Sequence, residues 1–420
     1  MTDEKWTIDQ ARGVYGVGQG FREFHFLDID KKGRLCLKIG GKTISFLEIL
    51  EQLHASSGYM YQQDYGQVPS VTLRIPQLIE HQIQKLKSSF QKFFNQLEYG
   101  GEFAPVYPIK VNQHAYTIRT VLGYGGEKYG LEAGTLSELA ICLEMLKDRK
   151  EQSTIVCNGV KDIEYLTLID KKLLKGYNII VSIESFRELE TLLSVISDPS
   201  LVKIALRMKP YFSVSGHWAK SSGRDSKFGL SIDELSNVLD FLLENNQTSL
   251  VTTIHSHIGS QITTLGDFKT CAIYMTKIYR EIRDLGFSNL TCINFGGGLA
   301  IDYQGFKSND CKDSFEVYAE NLVRSVLAEV GSHPHPNIMV EAGRAVTALA
   351  SMVAVQILET REIFPLGPLQ DDILEDFLYW KQRILSINSI ADFNDVWIEF
   401  ESKRLSTKVG IDSIRQMELL

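Results

Sequence analysis

The stretch Val106-Tyr107-Pro108-Ile109-Lys110-Val111-Asn112-Gln113 decides how the rest of the chain is read. It is short, apolar and partly β-branched, so it predicts a strand over Pro105–Val111 with a lysine near its C-terminal end. Strand side chains alternate between faces, which puts Val106, Pro108 and Lys110 on one side and Tyr107, Ile109 and Val111 on the other. An ammonium on an otherwise apolar strand face is costly unless it is paired or its amine is used chemically. Taken alone, Lys110 reads as a lysine snorkelling from a strand end to solvent. The surrounding sequence gives it other company.

Downstream, similar short apolar runs recur: Tyr129–Ala133, Thr154–Asn158, Asn178–Ile183, Val202–Met208, Val251–Ile258, Thr291–Phe295 and Asn337–Ala342. Helix-like segments separate them, among them Ser137–Leu146, Ser185–Ile196, Ser231–Glu244, Asp267–Leu285 and Ser314–Val330. Eight alternating β and α units predict an α/β fold, a (β/α)8 TIM barrel in preference to the doubly wound sheet that the pattern also allows. No repeat is visible in the sequence itself. Upstream, Phe24–Ile29 and Arg34–Ile39 flank the turn Asp30-Lys31-Lys32-Gly33 as a hairpin. Pro76–Tyr99 then carries Ile79, Ile83, Leu86, Phe90, Phe93 and Leu97 at helical spacing, with Pro76 suited to the first turn. Beyond Leu358 the βα rhythm stops and residues 369–420 read as helical. The expected organisation is an N-terminal β segment plus helix over 1–100, the barrel over 101–360 and a C-terminal helical extension over 361–420.

The 420 residues are 44% hydrophobic and 23% charged, the composition of an ordinary globular protein. A net charge of -8 with scattered Lys and Arg argues against nucleic acid as a partner. No apolar run is long enough to cross a bilayer, and Met1-Thr2-Asp3-Glu4-Lys5-Trp6 lacks the features of a secretory signal. The six cysteines are widely spaced with no C-x-x-C pair, which points to reduced structural thiols, a cytoplasmic setting and no metal site.

In a TIM barrel, functional residues gather where strands end. Those positions carry Lys110, Glu132, Arg207, the pair His255 and His257 on one strand face, Gly296-Gly297-Gly298, and Glu341 with Arg344. Each has a structural explanation when taken singly. Glu132 can pair with Arg207, Glu341 with Arg344, His257 can be a hydrogen-bonded core residue, and the glycines a flexible loop. Their joint placement on strand ends favours pyridoxal 5′-phosphate (PLP). A lysine amine forms its Schiff base, the role of Lys110. Successive glycines present backbone N–H groups to its phosphate without side-chain clash, and the Arg344 guanidinium suits phosphate oxygens. Glu341 is the carboxylate for its pyridine nitrogen, and His257 can stack on its ring.

Together these motifs resemble the alanine-racemase-fold PLP decarboxylases that act on ornithine, diaminopimelate and arginine, and within that group the biosynthetic arginine decarboxylases. The resemblance rests on Val106–His114, Tyr129–Gly134, Val156–Gly159, Ser226–Leu230, His255–Gln261, Phe295–Leu299 and Glu341–Thr347. It covers roughly residues 15 to 360, and the ending Asn112-Gln113-His114 is what favours arginine. The resemblance implies that Lys110 holds PLP, His257 stacks on it, Glu341 pairs with the pyridinium, and Ser260, Gly297, Gly298 and Arg344 face the phosphate. Glu132 and Arg207 become further cofactor contacts. It implies conversion of L-arginine to agmatine and CO2 in polyamine synthesis, a homo-oligomer of at least two chains, and magnesium, for which no carboxylate cluster marks a site.

Relatives of this kind continue into a C-terminal β-domain whose Cys-Asp motif serves the active site across a dimer interface. No cysteine follows Cys311 here. The expectation is therefore an N-terminal portion, with an incomplete β-domain and impaired activity on its own. A PLP-binding homologue without catalysis, and an ornithine or diaminopimelate decarboxylase, are the alternatives.

Overall fold

The computed structural model describes residues 7–18, 26–39, 41–56, 71–211, 226–301, 303, 315–355, 371–387 and 390–406. The chain divides into two units, Met1–Val355 and Gln356–Leu420. In the first unit, β1 (Leu27–Ile29), β2 (Leu35–Ile39) and β3 (Lys42–Ser45) form an antiparallel sheet. Its first turn is the expected hairpin, with Ile29 opposite Leu35. Asp30 shapes that turn by accepting the Lys32 and Arg34 backbone N–H groups at 2.8 and 2.9 Å. Phe24 and His25, also read into the hairpin, lie outside the described residues. A helix over Phe46–Ser56 follows, and further along come β4 (Val71–Arg74) and a helix over Pro76–Gln96 with proline in its first turn.

Eight parallel strands then close into a barrel, each bonded to its neighbours in chain order: β5 (Phe103–Pro108), β6 (Gly130–Ala133), β7 (Ile155–Cys157), β8 (Ile179–Ile183), β9 (Lys203–Arg207), β10 (Val251–His255), β11 (Cys292–Asn294) and β12 (Asn337–Glu341). The register closes where Glu341 of β12 pairs with Val106 of β5. Helix starts follow the Ser/Thr-x-x-Glu pattern of the sequence. Thr135, Ser185 and Ser231 accept the backbone N–H groups of Glu138, Glu188 and Glu234.

Alternation along the strands sorts the core into two parts. Val106, Val156, Ile180, Ala205, Cys292 and Met339 form an apolar plug inside the barrel. Their strand neighbours Tyr107, Leu131, Ile155, Val181, Ile204 and Ile338 join the larger core shared with the surrounding helices. The helix Pro76–Gln96 supplies Ile83, Leu86 and Phe90 to that core, all fully buried. Phe90 stacks on Phe103 of β5 with ring centroids 4.0 Å apart and meets Tyr318 edge-on.

Two expectations need correction. Lys110 does not sit on a strand face: β5 stops at Pro108, and Ile109–Val111 form a 3-10 turn. The Asn112 N–H returns to the Ile109 carbonyl at 3.1 Å instead of joining a neighbouring strand, so the chain leaves the sheet there. Likewise β10 ends at His255, and His257 lies beyond it instead of sharing a strand face with it. One pairing was not anticipated. After β12 the chain forms β13 (Ser351–Ala354), which pairs antiparallel with β4.

The second unit contains helices over Asp371–Leu385 and Ile390–Ser406. Arg383 bonds Glu399 at 2.6 and 3.0 Å, and Trp380 meets Phe400 edge-on at 5.2 Å. Residues 407–420 of the expected helical segment lie outside the described residues.

Phe90→Ala leaves a ring-sized void between the Pro76–Gln96 helix and the barrel wall. Such a cavity costs about 3–5 kcal/mol. Urea unfolding of the variant should show that loss as a lower midpoint with an unchanged slope.

Candidate active site

Above the apolar plug, the inward-facing positions turn polar. Glu132, Ser182, His255, Asn294 and Glu341 are buried there, with Asn158 just past the end of β7 and Arg207 ending β9. Two acidic side chains are the hard part of this ring to accommodate, because each must be hydrogen-bonded once removed from water. Asn158 Nδ2 donates to Glu132 Oε1 at 3.0 Å and to both Glu341 oxygens at 3.0 and 3.2 Å. Asn294 Nδ2 adds a 2.8 Å bond to Glu341. Lys110 Nζ reaches over the ring to Glu132, 2.9 and 3.0 Å from its two oxygens.

The other pairs considered from the sequence do not form. Arg207 bonds Glu184 at 2.6 Å, not Glu132, and its guanidinium lies 5.3 Å from the Phe228 ring centre. Glu184 also accepts the Gly159 N–H at 2.8 Å, tying the turn after β7 to β9. Among the described residues, Glu341 has the His255 imidazole nearby, Nε2 at 3.7 Å, and no ion pair involves Arg344.

A cavity of about 460 Å³ opens at this end of the barrel, lined by Lys110, His257, Ser260, Gly297, Gly298, Glu341 and Arg344 among others. Seven of the nine residues singled out from the sequence thus share one cavity. Glu132 reaches it through Lys110, while Arg207 is not among its lining residues. Two of its glycines are sterically required. A Cβ on Gly297 would lie 2.6 Å from the Glu341 carbonyl oxygen, and one on Gly298, at φ +111°, 2.3 Å from that of Gly259. Sequence reasoning gave His255 no role and missed the ring's other supports: Asn158, Asn294, Ser182 and Glu184. Their available signal was a polar residue at or just past the end of an apolar run, at Asn158 and Asn294 above all.

Burial sets the titration of the site. It works against the Lys110 ammonium, but Glu132 and Glu341 outweigh it, so that pKa is raised. Burial holds Glu132 above the usual carboxylate range, with Glu341 adding to the effect while Lys110 opposes it. His257 is pushed down to about 3 by burial, then by Lys110 and Arg207. Burial likewise keeps His255 well below its ordinary value. Both imidazoles are therefore neutral near pH 7.

Residues 80–348 match the family described as "Pyridoxal-dependent decarboxylase, pyridoxal binding domain". The chain belongs to this family. Among curated relatives of these decarboxylases, it is 31% identical over 381 residues to a biosynthetic arginine decarboxylase of Citrifermentans bemidjiense, covering 86% of this chain and 56% of that protein. It is 30% identical over 360 residues to the arginine decarboxylase of Avena sativa, covering 82% and 58%. The chain thus spans a little over half the length of these relatives. The crystal structure of a biosynthetic arginine decarboxylase from Campylobacter jejuni superposes with a TM-score of 0.69 at 27% identity, covering 98% of this chain and 66% of that one. A diaminopimelate decarboxylase structure from M. jannaschi, at 18% identity and a TM-score of 0.60 over 78% of this chain and 68% of that one, shares the fold.

The family's cofactor fits the residues present. Gly297 and Gly298, which the nearby Glu341 and Gly259 carbonyls oblige to be glycine, bring bare backbone to the wall of the cavity that Arg344 also lines, as a phosphate requires. Glu341 is a buried carboxylate held by two neutral amides beside a neutral imidazole, which suits a cationic ring nitrogen. Among the described residues, no group of three or more His, Cys, Asp or Glu side chains is arranged to hold a metal, so the magnesium expected from the resemblance has no site there. No helix among the described residues is long and apolar enough to cross a membrane.

The two imidazoles give the cofactor-free chain a defined acid response. On unfolding, each regains an ordinary pKa near 6.5 and binds a proton that the folded chain excludes. Stability is therefore full above that value and falls as the pH drops through it, down to about 3 for His257. In the His257→Asn variant, the slope of unfolding free energy against pH should be shallower by about 1.4 kcal/mol per pH unit inside that window. An unchanged slope would mean that His257 is protonated in the folded chain.

Proposed function

We propose that this chain carries the barrel of a PLP-dependent carboxy-lyase that converts L-arginine to agmatine and CO2. The observation that supports it most is the meeting of a lysine amine, an amide-held carboxylate and a glycine-arginine cradle in one cavity. Identity of 30–31% to arginine decarboxylases favours arginine over ornithine or diaminopimelate.

Bound there, PLP supplies an electron-withdrawing ring that takes up the electron pair left when the bond between Cα and the carboxylate breaks. Lys110 holds the cofactor covalently through its amine. Glu132, within hydrogen-bond reach, is the group placed to take and return the ammonium proton as the amine becomes a nucleophile. Glu341 would be the carboxylate paired with the ring nitrogen, keeping it protonated and so strengthening the electron sink. Asn158 and Asn294 keep that carboxylate oriented. His257, neutral through burial and lining the same cavity, would stack on the ring without placing a second positive charge beside the pyridinium. Ser260, Gly297, Gly298 and Arg344 hold the phosphate. Arg207, fixed by Glu184, does not line the cavity and would act on the site through its charge. Loss of CO2 is balanced by one proton delivered to Cα.

The same reading carries a cytoplasmic setting, in keeping with the free, buried cysteines among the described residues. It also carries assembly into a homo-oligomer.

Mixed with PLP, the purified chain should develop the visible absorbance of lysine-bound cofactor, and Lys110→Ala should lose it. Wild-type protein that takes up no PLP would falsify the reading. Glu341→Gln separates binding from chemistry: the band should persist while decarboxylation slows on the order of a hundredfold. With labelled substrates, arginine should yield CO2 and agmatine in equal amounts. Faster turnover of ornithine or diaminopimelate would reassign the substrate.

A further inference from the structure

Gln261 is one of three residues other than glycine with positive φ among those described, at +54°. A side chain in this left-handed region costs about 1–2 kcal/mol and persists where its surroundings over-determine it. Gln261 follows Ser260 directly and lines the same cavity, so this outlier lies at the site itself.

The side chain shows what the conformation achieves. Gln261 Nε2 donates to the Ile301 carbonyl at 3.0 Å, and its Oε1 accepts the Ile301 N–H at 2.9 Å. One amide thus satisfies both backbone groups of a residue in another loop, as a paired strand would. Among side chains, the amides of Asn and Gln offer a donor and an acceptor together in this way, and Asn is one methylene shorter. Beside this contact, the Ile262 N–H bonds the Gly298 carbonyl at 2.8 Å, and Ile262 bridges to Leu299. Gly298 then lies so close to Gly259 that no Cβ fits between them. The loop carrying Ser260 and the loop carrying Gly297 and Gly298 are therefore zipped together, with Gln261 closing the outer end. Ile262, Ala300 and Ile301 are buried at the seam, which keeps water from competing for these bonds.

We propose that Gln261 is a positioning residue that presets the phosphate cradle by fastening the Ser260 loop to the Gly297–Gly298 loop, its own amide being spent on Ile301 and not on the ligand. This rests on the reading that Ser260, Gly297, Gly298 and Arg344 hold the cofactor phosphate. It follows that Gln261 serves recognition of the phosphate group and not of the ring.

The test compares PLP with pyridoxal, which lacks the phosphate, by absorbance titration of the 420-residue chain. Gln261→Ala removes the clamp, and Gln261→Gly removes both the clamp and the backbone strain. Both variants should bind PLP on the order of tenfold more weakly, the scale of one to two lost hydrogen bonds. Their affinity for pyridoxal should match the wild type. For Gln261→Gly the loss should appear without any fall in thermal midpoint, because strain has been relieved; this variant keeps the test informative if Gln261→Ala folds poorly. An unchanged ratio of the two affinities in both variants would overturn the proposal. So would equal weakening of both aldehydes, which would mean general loosening of the site. If the wild type itself does not prefer PLP, or Arg344→Ala leaves its preference intact, the phosphate reading fails and takes this proposal with it.

Discussion

Asn158 holds together two groups that would otherwise repel. Its amide reaches Glu132 and Glu341 at 3.0 Å each, both buried at the top of the barrel. Two unit charges about 4 Å apart at an effective dielectric near 20 repel by roughly 4 kcal/mol. The amide cannot neutralise that repulsion, but it fixes where each carboxylate points. The neighbours then treat the two differently. Glu132 is given a cation, Lys110, and held above the ordinary carboxylate range by burial. Glu341 is given amides and a neutral imidazole. One carboxylate is thereby set up to exchange a proton with an amine, the other to face a cation supplied from outside the chain.

The barrel makes that arrangement possible by stacking a polar layer on an apolar one. Val106, Val156, Ile180, Ala205, Cys292 and Met339 fill the interior below. Two residues further along several of the same strands, the inward positions are Ser182, Arg207, Asn294 and Glu341. Helix starts reinforce the upper layer. Glu138 and Glu188, which occupy the third helical position after their caps, accept the backbone N–H groups of Gly134 and Glu184 at 2.7 Å. Glu138 also receives Gln113, at the end of the Lys110 stretch, and Glu188 receives the buried Lys161. The residues that start the helices therefore brace the loops that shape the cavity.

Much of the fold was legible because it rests on local patterns. Apolar runs and helical periodicity placed eight strands and five of the helices between them to within a few residues. What periodicity does not carry is where a strand leaves the sheet. Pro105–Val111 looks uniformly strand-like, yet a single bond from Asn112 to Ile109 turns the chain at Pro108 and lifts Lys110 off the sheet face. The β4–β13 pair was invisible for a related reason: its partners lie far apart in sequence, and each is only four residues long.

For the site, the sequence alone determined which chemistry-bearing residues lie at or just past strand ends, since that depends only on where the apolar runs stop. Lys110, His257, Gly297, Gly298, Glu341 and Arg344 were recognisable as one set on that ground. Partner choice was decided by tertiary structure. Glu132 could be matched with Arg207 on paper, but closure of the barrel brings it to Lys110 and gives Arg207 to Glu184. Asn158, Asn294 and Gln261 were unremarkable in the sequence because an amide has no charge to draw notice. Their importance arises only when the fold removes water and leaves buried carboxylates and backbone groups for them to satisfy.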